Sequence, residues 1–384
     1  MSDSRIEILA SNGSPAALFS WFTENMKMLE RAALFGRQAG PNQPNRFRRH
    51  YRRVFVVFAL IAYVVFTLHF RQTCVIKHGQ SSQSQQYSDC GNSTLGFEKV
   101  VVVSTGPSWR LDGLIEAANR TGIDVEVPAQ PKWTTREVDI FRRVALAPNS
   151  EVPSKKGRGL AQCWLGHLNV IREILIRGWS TSLIMEDDVD WDIMIKRQLA
   201  FVAPMIKKVT ISADPAPYGS GWDLMWLGHC GEATPASGRV LSQIDESLPE
   251  SPIYRRYDGS YSYFPPQLRI VHHTYAPICT YAYALTYNGA STIYQLALGG
   301  KEHTITAGLY DYCKNGHLRC VSVNPELFHH HKKAGVSTSQ IAVVEGWDTM
   351  AKAGDITYTA NIRHSARCNS RSKDLVTCQD PMAE

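Results

Sequence analysis

Charge is scarce in this sequence. Only 20% of the 384 residues are charged, whereas 44% are hydrophobic, a composition that is typical of a globular protein and argues against a disordered or fibrous chain. The net charge of +6 is concentrated at the N-terminus, because residues 1–53 hold nine Lys and Arg against four acids and leave +1 for the remainder. Since that remainder has no basic cluster, we predict no nucleic-acid partner.

Two motifs of other protein classes are missing. There is no Cys-X-X-Cys pair, so neither a zinc ribbon nor a thioredoxin-type site is indicated, and there is no P-loop for a nucleoside triphosphate. All nine cysteines follow residue 73, and in an oxidising compartment we predict the local disulfides Cys313–Cys320 and Cys368–Cys378. The odd number leaves at least one thiol free or paired with another molecule. Cys163 lies on the apolar face of a predicted helix and is expected to be a buried thiol.

An apolar run of 17 residues without acid, Lys or Arg, Val54–Phe70, follows the basic N-terminus. As a helix it would be about 26 Å long, which matches the ~27 Å of a thin early-secretory bilayer. Its upstream flank, Arg46–Arg53, is strongly basic, and positive charge stays on the cytoplasmic side. We therefore predict a transmembrane signal anchor with a cytoplasmic N-terminus; a buried core helix is the alternative.

The anchor divides the chain into four predicted parts. These are a cytoplasmic tail (1–53), the anchor (54–70), a Ser- and Gln-rich stem (71–97) and a lumenal domain (98–384). The arrangement predicts a single-pass type II protein of the Golgi or endoplasmic reticulum membrane, and no C-terminal KDEL-type signal selects between the two. In this topology the glycosylation sequons at Asn92 and Asn119 are lumenal, whereas the sequon at Asn12 is cytoplasmic.

Strand and helix patterns alternate within the lumenal domain. Apolar β-branched runs predict strands, and apolar residues spaced three and four apart predict helices. The predicted strands are Lys99–Ser104, Ile123–Val127, Ser182–Asp188, Trp222–His229, Thr280–Tyr287 and Arg319–Pro325, and the predicted helices include Arg110–Arg120 and Gly159–Gly178. This order indicates an α/β domain with a mostly parallel sheet and helices on both faces.

The third of those strands runs into three consecutive carboxylates, Glu186, Asp187 and Asp188. Ligands of an open α/β sheet bind beyond the carboxyl ends of its strands, and adjacent acids repel one another unless a cation compensates them. Such oxygen ligands suit Mg²⁺ or Mn²⁺ bridging a diphosphate. The structural alternative is an acidic N-cap for the following helix, for which Asp190 and Asp192 are well placed.

The segment 159–192 resembles the central block of glycosyltransferase family 25, which includes lipopolysaccharide and collagen galactosyltransferases. Gly159, Cys163, His167 and the acidic triplet match its pattern, whereas Gly166 stands where Ser is usual. The resemblance extends over about residues 98–335. It departs at the first strand, where the family usually has several arginines and this chain has one, at position 110.

The resemblance implies a GT-A fold, with a Rossmann-like sheet that binds a nucleotide sugar. It also implies inverting transfer of a sugar, galactose-like, from a UDP-sugar donor to a hydroxyl of a glycan or glycoprotein acceptor. A bound Mn²⁺ or Mg²⁺ would offset the charge of the departing diphosphate. Asp188 is the implied metal ligand and catalytic carboxylate, Glu186 and Asp187 lie towards the ribose and sugar, and Arg110 is left as the donor contact.

A histidine near the end of such a domain often supplies a second metal ligand, and this chain has three, His329 to His331. We predict His330 as that ligand, with a solvated turn as the alternative, and His167 as a hydrogen-bonded core residue. The resemblance implies that Asp311, in a helical stretch before the last predicted strand, is the general base that accepts the proton of the acceptor hydroxyl. Asp258 and Glu232 remain open, and any of these acids could be a surface carboxylate.

Two other kinds of protein remain open. An acidic cluster at a strand end also fits a metal-dependent phosphotransferase or hydrolase, although those normally add a second acidic cluster or a P-loop. A catalytically inactive lectin-like or scaffold protein could retain the same fold. The intact triplet favours an active glycosyltransferase.

Overall fold

The computed structural model of the protein describes the chain in segments that begin at residue 90. They are residues 90–145, 157–236, 238–250, 252, 254–255, 261–262, 265–297, 304–336, 339–345, 357–372 and 374–376. The chain divides into two compact units, 1–80 and 81–384, and all of these residues belong to the second. The predicted tail and anchor, and the stem up to residue 89, lie outside the described residues. Within the described segments, no helix is both long and apolar enough to cross a bilayer.

Seven helices lie within the described segments, and two of them match the predicted Arg110–Arg120 and Gly159–Gly178 to within one residue at each end. The seven are α1 (Trp109–Thr121), α2 (Thr135–Ala145), α3 (Arg158–Arg177), α4 (Ile195–Val209), α5 (Tyr287–Ala297), α6 (Ile305–Lys314) and α7 (Gln340–Glu345). The hydroxyl of Ser108 caps α1 by accepting the N–H of Leu111. Gly122 and Gly178 end α1 and α3 in the left-handed conformation, which glycine adopts without a steric penalty.

The strands include several that the apolar pattern does not predict. They are β1 (Lys99–Val103), β2 (Thr181–Glu186), β3 (Val189–Trp191), β4 (Leu224–Gly228), β5 (Val240–Ile244), β6 (Tyr254–Arg255), β7 (Tyr261–Ser262), β8 (Leu268–His273), β9 (Ala282–Thr286), β10 (Cys320–Asn324), β11 (Phe328–Lys332) and β12 (Tyr358–Thr359). A strand at Ile123–Val127 was predicted, but only Glu126 bridges to Val101. That prediction is wrong as a strand, and Pro128, which has no N–H to donate, follows directly.

Seven strands form one mixed sheet in the order β1-β2-β9-β4-β10-β8-β5. The pairs β1–β2 and β4–β10 are parallel, and the other four are antiparallel. The prediction of a mostly parallel sheet is therefore wrong. The cause is that β8 and β9 run against the other five strands, so each adds antiparallel partners on both sides.

Alternate strand residues build a core on each face of the sheet. One core joins Val100, Leu183 and Met225 to α1 and α4, and the other joins Ile184 and Trp226 to α3, α5 and α6. Helices on both faces were predicted, and the structure confirms them. The first core also includes Leu95 and Phe97, which fall in the predicted stem, so the packed domain extends back to residue 90.

Disulfide bonds lie near both edges of the seven-stranded sheet. Cys313–Cys320 is formed, which confirms that prediction. A second bridge, Cys230–Cys279, was not singled out. Cys368 is also disulfide-bonded, but residue 378 lies outside the described residues. Cys163 is a reduced thiol, and burial raises its pKa.

Candidate functional site

The acidic triplet forms a turn at the end of β2, which we call the acid turn (Glu186–Asp188). It lies at the edge of the sheet where β1, β2, β4 and β10 end, called here the carboxyl edge. The next residues, Val189–Trp191, pair with β11 in a small sheet of order β12-β11-β3. This pairing sets the histidines of β11 beside the acids, so His329 to His331 lie in a strand and not in a solvated turn.

Asp188 is the centre of the cluster. It is 6% exposed, it forms an ion pair with Arg110, and its Oδ2 lies 3.4 Å from Nε2 of His330. Burial alone would raise the pKa of Asp188, but the positive charges of Arg110, Arg367 and Lys332 hold it below its usual value. The carboxylate therefore stays ionised. The structure thus brings together three residues that the sequence assigned to the site.

Two potential ligand atoms face this cluster. Among the described residues, neither Asp188 Oδ1 nor His330 Nε2 has a hydrogen-bond partner. Burial lowers the pKa of His330 to about 3, so the imidazole is neutral, which is the form that binds metals. Its other nitrogen, Nδ1, lies 3.1 Å from Lys332 Nζ and accepts a hydrogen bond from that ammonium group.

The other two acids of the turn have different partners. Asp187 accepts a 2.6 Å hydrogen bond from Ser104, and burial raises its pKa to about 6. Glu186 accepts a 2.7 Å bond from Thr280, and its Oε1 lies 3.5 Å from Nε2 of His167. His167 is 1% exposed, and its Nδ1 lies 2.9 Å from the hydroxyl of Tyr283. It is the hydrogen-bonded core residue that was predicted, and it also contacts the site.

The two acids beyond the turn are structural. Asp190 is fully buried in β3 and accepts hydrogen bonds from Thr359 and Ser365, so its predicted role as a helix cap is wrong. Asp192 accepts the N–H groups of Met194 and His364, both at 2.8 Å. It therefore orders the chain just before α4, close to the predicted capping role.

A buried arginine that the sequence did not reveal lies beneath the acid turn. The guanidinium of Arg367 donates 2.7–2.9 Å hydrogen bonds to the main-chain carbonyls of Arg110, Asp187 and Val189. It comes from the segment 357–372, which has neither apolar periodicity nor a motif. Its partners are main-chain carbonyl oxygens, which every residue has, so the sequence contains no pattern from which these contacts could be predicted.

The predicted bases lie apart from one another. Asp311 is exposed in the last turn of α6, beside the disulfide to Cys320, the first residue of β10, so it lies towards the edge opposite the acid turn. Glu232 follows β4 at the carboxyl edge and is 2% exposed; burial raises its pKa to about 8. Residue 258 lies outside the described residues.

The residues present fit a cation only together with an added ligand. In the part of the chain that the structure describes, no group of three or more His, Cys, Asp and Glu side chains is placed to hold a metal ion. Asp188 and His330 would supply two ligand atoms, a carboxylate oxygen and an imidazole nitrogen. Mg²⁺ and Mn²⁺ commonly complete their coordination with water and phosphate oxygens, so a diphosphate would supply the missing ligands.

Positive charge surrounds these two residues. Arg110 and Lys333 both lie over the ring of Trp109, with Arg110 Cζ at 5.4 Å and Lys333 Nζ at 5.1 Å from its centroid. Lys332 contacts His330 from the other side. Three cations therefore lie around the acid turn, and an anionic ligand would find counter-charges there.

Comparison with known proteins gives a distant likeness. No protein-family model matches the chain. Procollagen galactosyltransferase 1 of Danio rerio is 25% identical to it over 107 residues, which is 28% of this chain and 15% of that relative. The match thus covers a small part of either protein. It suggests a relationship to glycosyltransferases, and membership of family 25 remains a prediction.

Proposed function

We propose that the protein is a glycosyltransferase that uses a nucleotide-sugar donor and a divalent cation. The observation that carries the proposal is the acid turn at the carboxyl edge, where Asp188 and neutral His330 present buried atoms without hydrogen-bond partners among the described residues. The distant likeness to a galactosyltransferase supports it. The transfer itself, with a galactose-like sugar, inversion and a GT-A arrangement of the fold, is inferred from the resemblance.

The cation would be held by Asp188 and His330 and would offset negative charge on the diphosphate as it departs. Coordination by His330 Nε2 leaves the proton of a neutral imidazole on Nδ1. A protonated Nδ1 could not accept from Lys332, so the ammonium group would have to find another partner. We propose that Lys332 then contacts the diphosphate, together with Arg110 and Lys333.

The general base is better placed at Glu232 than at Asp311. Only Glu232 lies at the carboxyl edge, and among described residues its Oε2 has no hydrogen-bond partner. Its raised pKa means that the base would act best in mildly alkaline solution. Glu232→Gln should lower kcat by about 10²-fold or more and leave UDP binding intact, whereas Asp311→Asn should leave kcat unchanged; the reverse result returns the base to Asp311.

The test is hydrolysis of a panel of nucleotide sugars by the full-length chain, with and without Mn²⁺. We expect turnover of one UDP-sugar that EDTA abolishes and Mn²⁺ or Mg²⁺ restores. UDP binding without turnover of any donor would favour the lectin-like or scaffold alternative. Release of phosphate from simple phosphoesters would favour a phosphotransferase or hydrolase.

The cell compartment is part of the proposal. The disulfides are compatible with an oxidising, lumenal environment. A type II anchor in the Golgi or endoplasmic reticulum membrane would place the domain there, with a glycan or glycoprotein as the acceptor.

A further inference from the structure

Arg367 holds the main chain on both sides of Asp188. Its Nη2 donates to the carbonyl of Asp187 and its Nε to the carbonyl of Val189, both at 2.7 Å. The backbone N–H of Arg367 also donates to Asp190 Oδ1 at 3.1 Å. Because the two carbonyls flank Asp188 in sequence, the planar guanidinium fixes the direction in which the Asp188 side chain leaves the turn.

The same guanidinium fixes the partner of Asp188. Nη1 donates to the carbonyl of Arg110 at 2.9 Å, and the side chain of Arg110 forms the ion pair with Asp188. One side chain, 8% exposed, therefore joins α1 to the acid turn. A lysine has the same charge, but its ammonium group is not a planar fork and does not match three divergent carbonyls.

We infer that Arg367 is a positioning residue for the cation and donor site. It sets the separation of Asp188 and Arg110, so that the carboxylate is free to bind a cation at one oxygen while Arg110 remains near enough to meet an anionic donor. The identity of the ligand in this inference rests on the proposed function. The role of Arg367 in ordering the acid turn does not depend on that function.

A glycine in α1 offers an independent way to disturb the guanidinium. A Cβ added at Gly113 would lie 2.5 Å from Nη1 of Arg367, a separation that real Cβ atoms do not show. Nη1 must then leave the carbonyl of Arg110, although every charge of the site is retained. Gly113→Ala should therefore act like a change at Arg367 itself.

The experiment compares three variants of the full-length chain: Arg367→Lys, Gly113→Ala and the control Arg371→Lys. Arg371 belongs to the same segment but pairs with Glu116 on the exposed surface. Two properties are measured: Mn²⁺-dependent binding of UDP by calorimetry, and amide hydrogen exchange in the peptides that cover 186–192 and 328–332. His331 donates its N–H to Asp188 O at 2.9 Å, so the second peptide reports directly on the turn.

We expect Arg367→Lys and Gly113→Ala to weaken UDP binding roughly 10- to 100-fold, as changes behind metal ligands do, and to speed exchange in both peptides. Arg371→Lys should change neither. Wild-type affinity and wild-type exchange in Arg367→Lys would overturn the inference, and if that variant does not fold, Gly113→Ala decides. If the wild-type chain binds no UDP with Mn²⁺, the proposed function fails, and exchange alone then supports or overturns the positioning role.

Discussion

At the scale of single residues, Asp188 is the side chain on which the proposed chemistry depends most. Asp188→Asn keeps the shape but removes the charge that binds a cation, so we expect turnover to fall about 10²- to 10³-fold, equivalent to ~3–4 kcal/mol. Arg110 would also lose its buried counter-charge, which should lower stability by about 3 kcal/mol.

The control for this change is Asp112→Asn, since Asp112 is exposed in the first turn of α1. It should leave turnover unchanged and lower stability by only about 0.5 kcal/mol, because an acid in the first turn interacts favourably with the helix dipole. Near-wild-type transfer by Asp188→Asn, with unchanged dependence on Mn²⁺, would contradict a metal site at Asp188.

Asp190 and Asp192 should differ in what they contribute to stability. Asp190 is 0% exposed and accepts hydrogen bonds from Thr359, Ser365 and the main chain of Arg367. Asp190→Asn turns one acceptor into a donor that faces other donors, and we expect a loss of roughly 3 kcal/mol. Asp192→Asn also sets an amide against a donor, but among the described residues the Asp192 carboxylate accepts only two main-chain N–H groups, so the loss of stability should be smaller, about 1 kcal/mol. Urea unfolding of the two variants measures the difference, and equal losses would contradict it.

Glu232 should make stability depend on pH. Burial raises its pKa from 4.5 to about 8, so between these values the folded protein binds a proton that the unfolded chain has released. Stability contributed in this way is complete below pH 4.5 and is lost as the pH rises towards 8, by up to about 1.4 kcal/mol per pH unit. Glu232→Gln should remove this slope. Urea unfolding at pH 5.5 and 7.5 tests it; parallel wild-type and variant slopes would contradict it.

The sequence indicates candidate site residues where a cluster of polar side chains interrupts or follows an apolar run. Three adjacent acids after an apolar strand are conspicuous, and so are three adjacent histidines, so the proximity of Asp188 and His330 could be anticipated. An isolated carboxylate such as Asp311 gives no such signal, because its sequence surroundings are the same whether it lines a cleft or faces solvent. Ser104 and Thr280, which donate to the acid turn, are similarly inconspicuous.

At the scale of elements, apolar strands were recognised, whereas strands with polar residues in the run, β3, β8 and β11, were missed. β1, β4, β9 and β10 lie within the predicted ranges, and β2 begins one residue before its range, at Thr181. β3 and β11 carry Asp and His where a strand normally has apolar residues, so their pattern gives no strand signal. The direction of β9 could not be predicted either, because an apolar run has the same pattern in a parallel and in an antiparallel strand.

The two complete disulfides belong to opposite edges of the sheet and should have different effects. Removal of Cys313–Cys320, which closes a short loop, should cost about 2.5 kcal/mol in the chain-entropy treatment with little effect on transfer. Removal of Cys230–Cys279, with a separation of 49 residues, should cost about 4 kcal/mol. It should also slow transfer, because Thr280, the next residue, donates to Glu186.

Paired Cys→Ser changes, followed by unfolding and activity measurements, check this expectation. Since the Cys230–Cys279 bridge adjoins the site, transfer by that variant is compared at a temperature where both variants are folded. Equal activity of the two would show that the loop holding Thr280 is ordered without the bridge.

At the scale of the whole molecule, the predicted orientation in the membrane has a direct chemical readout. Asn92 and Asn119 are exposed and lie in sequons, so a lumenal domain should carry glycans at both. Treatment with a glycosidase should shift the gel mobility of the wild-type chain but not that of the Asn92→Gln, Asn119→Gln double variant. A shift that survives in the double variant and is lost on Asn12→Gln would invert the orientation.

Because Arg367 lies in the late segment 357–372, the acid turn can be supported only after the strands of the sheet have been synthesised. Every strand of the seven-stranded sheet is complete once Asn324 has been made, whereas the acid turn acquires its support from Arg367 only when a further stretch of chain has left the ribosome. At about 5–20 residues per second, the last strand of the sheet is made seconds before Arg367. A nascent chain released in that interval would carry a sheet whose acid turn lacks the support of Arg367, so the acid turn is ordered last.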